Sequence, residues 1–207
     1  MTARKGLILD FGGVLTTPLL PSVTEFERQV GLEEGRVIRQ LYLDPEFVQL
    51  TEGLERGSVT QEQWNEMAAS HLGVDDDNLM GRIFAGLQPE PLMLQAAATA
   101  RRHGIRVGVL SNSVGMKPWD LYDGYDLDTA FDAVVISEQH GLRKPEKEIY
   151  ELTLRMLELP GNECVFVDDT QPYLAPAADL GMATVLAGDP KDTVRYLQDA
   201  LGIDLLP

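Results

Sequence analysis

Five short apolar runs, none alternating with polar residues, constrain the fold of this chain more than any other feature. They are GLILD (6–10), RVGVLSNS (106–113), AVVIS (133–137), CVFVDD (164–169) and ATVLAG (183–188). A strand wetted on one face alternates apolar and polar residues. A continuous apolar run belongs to a parallel strand covered on both faces. Helical patterns lie between the runs. PLMLQAAATARRHG (91–104) keeps apolar residues at helical spacing and ends in Gly104, a stop signal. PEKEIYELTLRMLEL (145–159) places Pro145 in an expected first turn, and YLAPAADLG (173–181) is expected to start late or kink at Pro176. Strand and helix in alternation predict an α/β fold: a three-layer, doubly wound parallel sheet.

Residues 19–88 break this rhythm. They hold no good strand pattern but several helical ones, in SVTEFERQV (22–30), PEFVQLTEGLERG (45–57) and TQEQWNEMAASHLG (60–73). Thr60 followed by Gln63 is a capping-box pair. The stretch predicts a helical insert between the first strand and the rest of the sheet. The acidic run at 75–77 is most simply a solvated loop. At 207 residues and 44% hydrophobic, the chain has length enough for one core domain carrying such an insert.

Charge narrows the partners. A net charge of −16 repels phosphate backbones, so neither nucleic acid nor an anionic membrane is an expected partner. No apolar run approaches the ~18 residues of a membrane span. Asp10 interrupts the apolar N-terminal run early, so no signal peptide is expected and the cytoplasm is the expected compartment. Cys164, the single cysteine, has no disulfide partner in the chain and lies in an apolar run, which predicts a buried core thiol.

In open parallel sheets, ligands bind beyond the carboxyl ends of the strands. Those ends carry Asp10, Ser111 with Asn112, and Asp168 with Asp169. SEQHGLRKPE, after the AVVIS run, adds Lys144 just before a helix. Taken singly, each has a plainer reading: a strand-end aspartate caps helices, a serine makes turns, a lysine solvates a surface. The adjacent acids are the stronger signal, because they repel and need a cation. Together the set suits a phosphate ester. Carboxylates fit octahedral Mg²⁺, which offsets repulsion between an anionic nucleophile and an anionic substrate. Lysine and serine hold phosphate oxygens, and an aspartate can attack phosphorus. Gly12 and Gly13 let the backbone approach metal and phosphate closely.

The order DFGGVLT, LSNS, RKPE, FVDD resembles the four ordered motifs of the haloacid dehalogenase (HAD) superfamily, and the resemblance covers the whole chain. The stretches MLQAAATARRHG, KPEKEIYELTL, VFVDDTQPYLAPAADLGMATVL and LGIDLLP are similar to the N-terminal phosphatase domain of soluble epoxide hydrolases. The epoxide-hydrolysing domain of that family is expected to be absent. The resemblance implies a Rossmann-like core from 1–18 and 89–207, with a helical cap at 19–88 that closes over the site and selects the substrate. It implies Asp10 as nucleophile and Mg²⁺ ligand, and the Gly12 carbonyl as a further ligand. Ser111 corresponds to the phosphate-binding hydroxyl, and Asn112 to a phosphate or substrate contact. Lys144 corresponds to the lysine that binds phosphate and steadies the nucleophile. Asp168 and Asp169 correspond to the acidic pair at the metal, with Asp169 the better candidate for direct coordination.

Two positions depart from the pattern. Phosphatases of the superfamily usually carry a second aspartate where this chain has Gly12. That aspartate protonates the leaving group and then activates water. Tyr173 stands where related sequences usually have asparagine. Three readings follow. The chain is a Mg²⁺-dependent phosphatase of small phosphate monoesters, working through an aspartyl-phosphate on substrates with good leaving groups. Or it is a phosphate-binding or regulatory relative with little turnover. Or it is a dehalogenase, since halide needs no proton; the retained Asp168–Asp169 pair argues against that. Trp119 is expected near the pocket mouth and His140 in the loop before Lys144. His71 and His103 have no metal-ligand spacing.

Overall fold

The computed structural model describes residues 4–206; the outermost ends of the expected core range, 1–3 and 207, lie outside the described residues. The five apolar runs form five strands: β1 (Gly6–Leu9), β2 (Arg106–Ser111), β3 (Ala133–Ile136), β4 (Cys164–Asp168) and β5 (Ala183–Leu186). They pair in the order β3-β2-β1-β4-β5, all parallel. Ten α-helices among the described residues follow the chain. Six precede β2, and the first five of them fall within the insert: α1 (Leu19–Val30), α2 (Arg36–Leu43), α3 (Pro45–Glu55), α4 (Gln61–Leu72) and α5 (Leu79–Ile83). The others are α6 (Pro91–Arg102), α7 (Leu127–Ala130), α8 (Lys147–Leu157), α9 (Leu174–Asp179) and α10 (Pro190–Leu201).

Burial explains the continuous apolar runs. Successive strand side chains point to opposite faces. Leu7, Leu9, Val107, Val109, Val165 and Val167 pack with Met93 and Ala97 of α6 and Val194 and Leu197 of α10. Ile8, Leu110 and Phe166, one residue out of phase, pack on the other face with Ile149 and Tyr150 of α8 and Ala177 of α9. Both faces are dry, so neither tolerates a polar alternation. Cys164 is buried in the second cluster, and burial pushes its thiol up to about 11, as suits an inert core residue.

Helix termini largely follow their local signals. Thr60 and Gln63 make the full reciprocal capping box at the start of α4. Gly104, with φ of +80°, follows the end of α6. Pro145 departs from expectation: α8 begins only at Lys147, with Glu146 as its N-cap. Residues 143–146 instead form a turn closed by the Glu146 N–H donating to the Arg143 carbonyl at 2.8 Å, and this turn holds Lys144 short of the helix.

Residues 19–83 contain only helices among the described elements. They carry their own core, in which Phe26, Phe47, Leu54, Trp64 and Leu79 are buried. An antiparallel bridge between Thr16 and Pro89 joins the two crossings of the chain between this insert and the sheet. The insert meets the sheet loops at two places. Gln61 accepts from the Trp119 N–H at 2.9 Å and donates to the Val114 carbonyl at 2.9 Å. Arg143 pairs with Glu52 at 3.1 Å and with Glu55, while Arg56 donates to Glu146 at 2.9 Å.

Candidate active site

The sheet order decides which side chains meet. β1 lies between β2 and β4, and the chain winds outward from it in both directions, so the switch point falls at the end of β1. Asp10 follows β1 directly, Ser111 ends β2 and Asp168 ends β4. The Asp10 N–H still donates to the Val167 carbonyl at 2.9 Å, which fixes the carboxylate's starting point on the sheet.

Lys144 organises the centre. Its ammonium lies 2.8 Å from Asp10 Oδ1 and 2.6 Å from Asp168 Oδ2, and the side chain is 1% exposed. Phe166 and Tyr173 rings flank it at 5.8 and 5.2 Å. Its backbone is held as firmly. Asn112 accepts from the Lys144 N–H at 2.8 Å and donates to the Lys144 carbonyl at 3.1 Å. Asn112 therefore fixes the lysine, and its side-chain amide also hydrogen-bonds Glu55.

The three aspartates differ in setting. Asp168 is fully buried; one oxygen faces Lys144 and the other accepts from the Thr170 N–H at 2.8 Å. Asp169 is exposed and accepts from Thr170 Oγ1 at 3.1 Å. Asp10 accepts from the Phe11 N–H at 2.7 Å. One carboxylate oxygen from each of Asp10, Asp168 and Asp169 lies within 4.8 Å of the others, a spacing that can hold a metal ion. Burial pushes the Asp10 carboxyl up to about 7; Lys144 opposes the shift, and Asp168 and Asp169 reinforce it. Burial also raises Asp169, with Asp168 adding to it. Burial disfavours the Lys144 ammonium, but Asp10 and Asp168 outweigh it and hold the lysine charged. One ammonium thus serves three acids, and a divalent cation fits the remaining negative charge.

Asp10, Gly12, Ser111, Asn112, Lys144 and Asp169 line one cleft, open to solvent. Asp168 lies beneath it. Gly13 lies beside Thr16 and Gly188, next to this cleft rather than in its lining. Its φ is +73°, and a Cβ there would fall 2.2 Å from Asp169 Oδ2. Gly13 is glycine because Asp169 occupies the space. Gly12 is different: its φ is ordinary, and a Cβ would meet only Leu19, at 3.4 Å. No steric constraint requires glycine there. Gly13→Ala is therefore expected to lower stability by about 1–2 kcal/mol, from left-handed backbone alone, and to push Asp169 off its position. Thermal melting and a Mg²⁺ titration check both.

Several contributors carried no sequence signal. Tyr122, distant from any motif, donates to Ser111 Oγ at 2.9 Å and packs edge-on against Phe11. Glu55 of α3 reaches the cleft wall and pairs with Arg143, the residue before Lys144. Leu19, Leu41, Thr51, Phe84 and Leu87 also line the cleft from the insert, and Val114 and Leu121 line it from the loop after β2. Trp119 stacks behind Phe84 at 6.2 Å and does not itself line the cleft. His140 is also absent from the lining, His71 packs against Phe47, and His103 contacts the Thr99 carbonyl at the end of α6.

A doubly wound sheet that brings a carboxylate, a lysine and an acidic pair to its switch point defines a hydrolase-type α/β site. The model of the haloacid dehalogenase-like hydrolases matches residues 4–181, and the chain belongs to that family. It is 31% identical to bifunctional epoxide hydrolase 2 of Rattus norvegicus, over 97% of this chain and 39% of that protein. The chain thus spans about two-fifths of the length of that relative. It is 26% identical to a sesquiterpene phosphatase of Aspergillus oryzae, over 97% of this chain and 98% of that one. A HAD family enzyme of Bacteroides thetaiotaomicron, solved with magnesium and inorganic phosphate, shares the fold at a TM-score of 0.69 and 22% identity, covering 89% of this chain and 94% of that one. No helix among the described residues is long and apolar enough to cross a membrane.

Proposed function

We propose that this hydrolase is a Mg²⁺-dependent phosphatase of small phosphate monoesters with an apolar organic part. The observation that carries the reading is the Asp10–Lys144–Asp168 cluster, with Asp169 beside it, at the floor of a cleft with apolar walls. Asp10 is the nucleophile. Lys144 neutralises it against an incoming phosphate and then holds phosphate oxygens. Ser111, fixed by Tyr122, and the side-chain amide of Asn112 hold others. Asp10, the Gly12 carbonyl and Asp169 are the Mg²⁺ ligands. Asp168 has both oxygens engaged and acts by fixing Lys144 and Thr170. Bound Mg²⁺ supplies charge neutralisation between nucleophile and phosphate. The residue 19–88 insert is the cap, and its leucines and Phe84 contact the organic group. The phosphatase name of the Aspergillus oryzae relative supports this reading.

Asp169→Asn is expected to abolish Mg²⁺ binding in calorimetry, while Asp168→Asn mainly lowers stability. Unchanged Mg²⁺ affinity in both variants would rule the metal site out. A Mg²⁺-dependent screen of phosphate esters is expected to favour apolar leaving groups over sugar phosphates.

A further inference from the structure

Gly12 leaves the reaction short of a group. An alkoxide leaving group needs a proton, and hydrolysis of an aspartyl-phosphate needs a base. The chain must draw both from elsewhere in the cleft. Three carboxylates line it: Asp10, Asp169 and Glu55. Asp10 is engaged with Lys144 and Asp169 belongs to the acidic cluster. No histidine lines the cleft. Glu55 alone approaches from the insert's side, across from the sheet.

We propose that Glu55 is the acid and base of this site, taking the part that Gly12 cannot play. The inference rests on the phosphatase reading above. In the first step an Asp10 oxygen bonds to phosphorus as the ester P–O bond breaks, and the Glu55 carboxyl gives its proton to the departing alkoxide. In the second, the Glu55 carboxylate takes a proton from water. The water oxygen bonds to phosphorus, the P–O bond to Asp10 breaks, and inorganic phosphate leaves with both carboxyl groups restored.

Three features suit Glu55 to this. Its position is fixed: it ends α3, and its main-chain carbonyl accepts from Ser137 Oγ. Its side chain is 14% exposed, buried enough to shift yet open to the cleft. Its surroundings are mixed. Arg143 and Lys144 face it from the turn before α8, Asn112 from the end of β2, and Glu52 shares Arg143 from its own helix. Burial pushes its carboxyl up, and the cations oppose that shift without cancelling it. A carboxyl raised above its ordinary value holds its proton more readily, as an acid that must give one up and take one back requires. The plainer role for Glu55 is a pin that fastens α3 to Arg143, and the experiment separates the two.

The test compares wild type, Glu55→Gln, Glu52→Gln and Glu55→Gln with Gly12→Asp, on hexyl phosphate and p-nitrophenyl phosphate with saturating Mg²⁺. Glu52→Gln weakens the same arginine pair without facing the cleft. Glu55→Gln is expected to lower kcat on hexyl phosphate about 10²–10³-fold. On p-nitrophenyl phosphate the first turnover should stay fast, followed by a slow steady state. The alkaline limb of the hexyl phosphate pH profile should disappear in Glu55→Gln. Gly12→Asp should restore much of the lost rate, since the added side chain has room, whereas a lost pin would gain nothing from it. Glu55→Asp, which keeps the charge for Arg143, covers the case in which the glutamine variant melts early; it should lose hexyl phosphate turnover more than first-turnover aryl cleavage. Unchanged hexyl phosphate turnover in Glu55→Gln would overturn the proposal. So would equal losses on both substrates, matched by Glu52→Gln and unrescued by Gly12→Asp. A wild type inactive on both phosphates would instead overturn the phosphatase reading, and this proposal with it.

Discussion

Asp10→Asn is expected to eliminate phosphatase turnover, by about 10⁴-fold or more, as removal of a covalent nucleophile does in enzymes whose site acts as a unit. The same change should stabilise the metal-free protein. The wild-type carboxyl is pushed up to about 7 by burial, so folding takes up a proton at pH values between the unfolded value of 3.8 and that figure. The wild-type fold is therefore favoured at low pH and loses that advantage as pH rises through 7. Asparagine carries no such penalty. At pH 8 without metal, the gain is at most about 4 kcal/mol, or at most roughly 8–16 °C in Tm for a chain of this length. It should fade as pH falls from 7 to 4. Saturating Mg²⁺ should reverse the order, by stabilising only the wild type. Melting curves at pH 5 and 8, with and without Mg²⁺, check each part. A Tm unaffected by the substitution at pH 8 would contradict the reading of Asp10 as a strained, ionised group.

Lys144→Ala is expected to have the largest effect on folding. The ammonium is almost fully buried between Asp10 and Asp168. Removing one partner of a buried ion pair leaves uncompensated charge and costs about 3–5 kcal/mol. For 207 residues that lowers Tm by about 10 °C. Asp168→Asn on that background removes half of the stranded charge and should recover part of the loss. A surface lysine such as Lys147, 60% exposed and paired with Glu151, should cost under 1 kcal/mol when replaced. Equal effects at the two lysines would mean that the buried cluster does not hold the fold.

Much of this was legible in the chain, for identifiable reasons. The five strands were readable because a sheet covered on both faces admits no polar alternation, as Leu7, Ile8 and Leu9 show by packing on opposite sides. The candidate site residues at the ends of β1, β2 and β4 are placed by the switch-point rule, which ties them to strand termini. What the sequence does not mark comes from segments that meet only in space. Tyr122 lies in a loop with no periodic pattern, and nothing local marks its hydroxyl as the partner of Ser111. Glu55 is one of many acids in a chain of net charge −16, and only the docking of α3 against Arg143 sets it apart. Pro145 lies in the turn before α8, because proline suits a first helical turn and the turn before it equally well. The glycine pair divided in an instructive way. Gly13 is fixed by sterics against Asp169, whereas Gly12 has room for a side chain that the sequence leaves out.

The most direct test of the account is to locate the phosphoryl group during turnover. Protein mixed with p-nitrophenyl phosphate and Mg²⁺, quenched in acid within the first turnovers and digested, is read by mass spectrometry. The expected result is one phosphoryl group on the peptide containing Asp10, absent without Mg²⁺ and absent in Asp10→Asn. Turnover with no phosphorylated peptide, or with the label on any other residue, would contradict it.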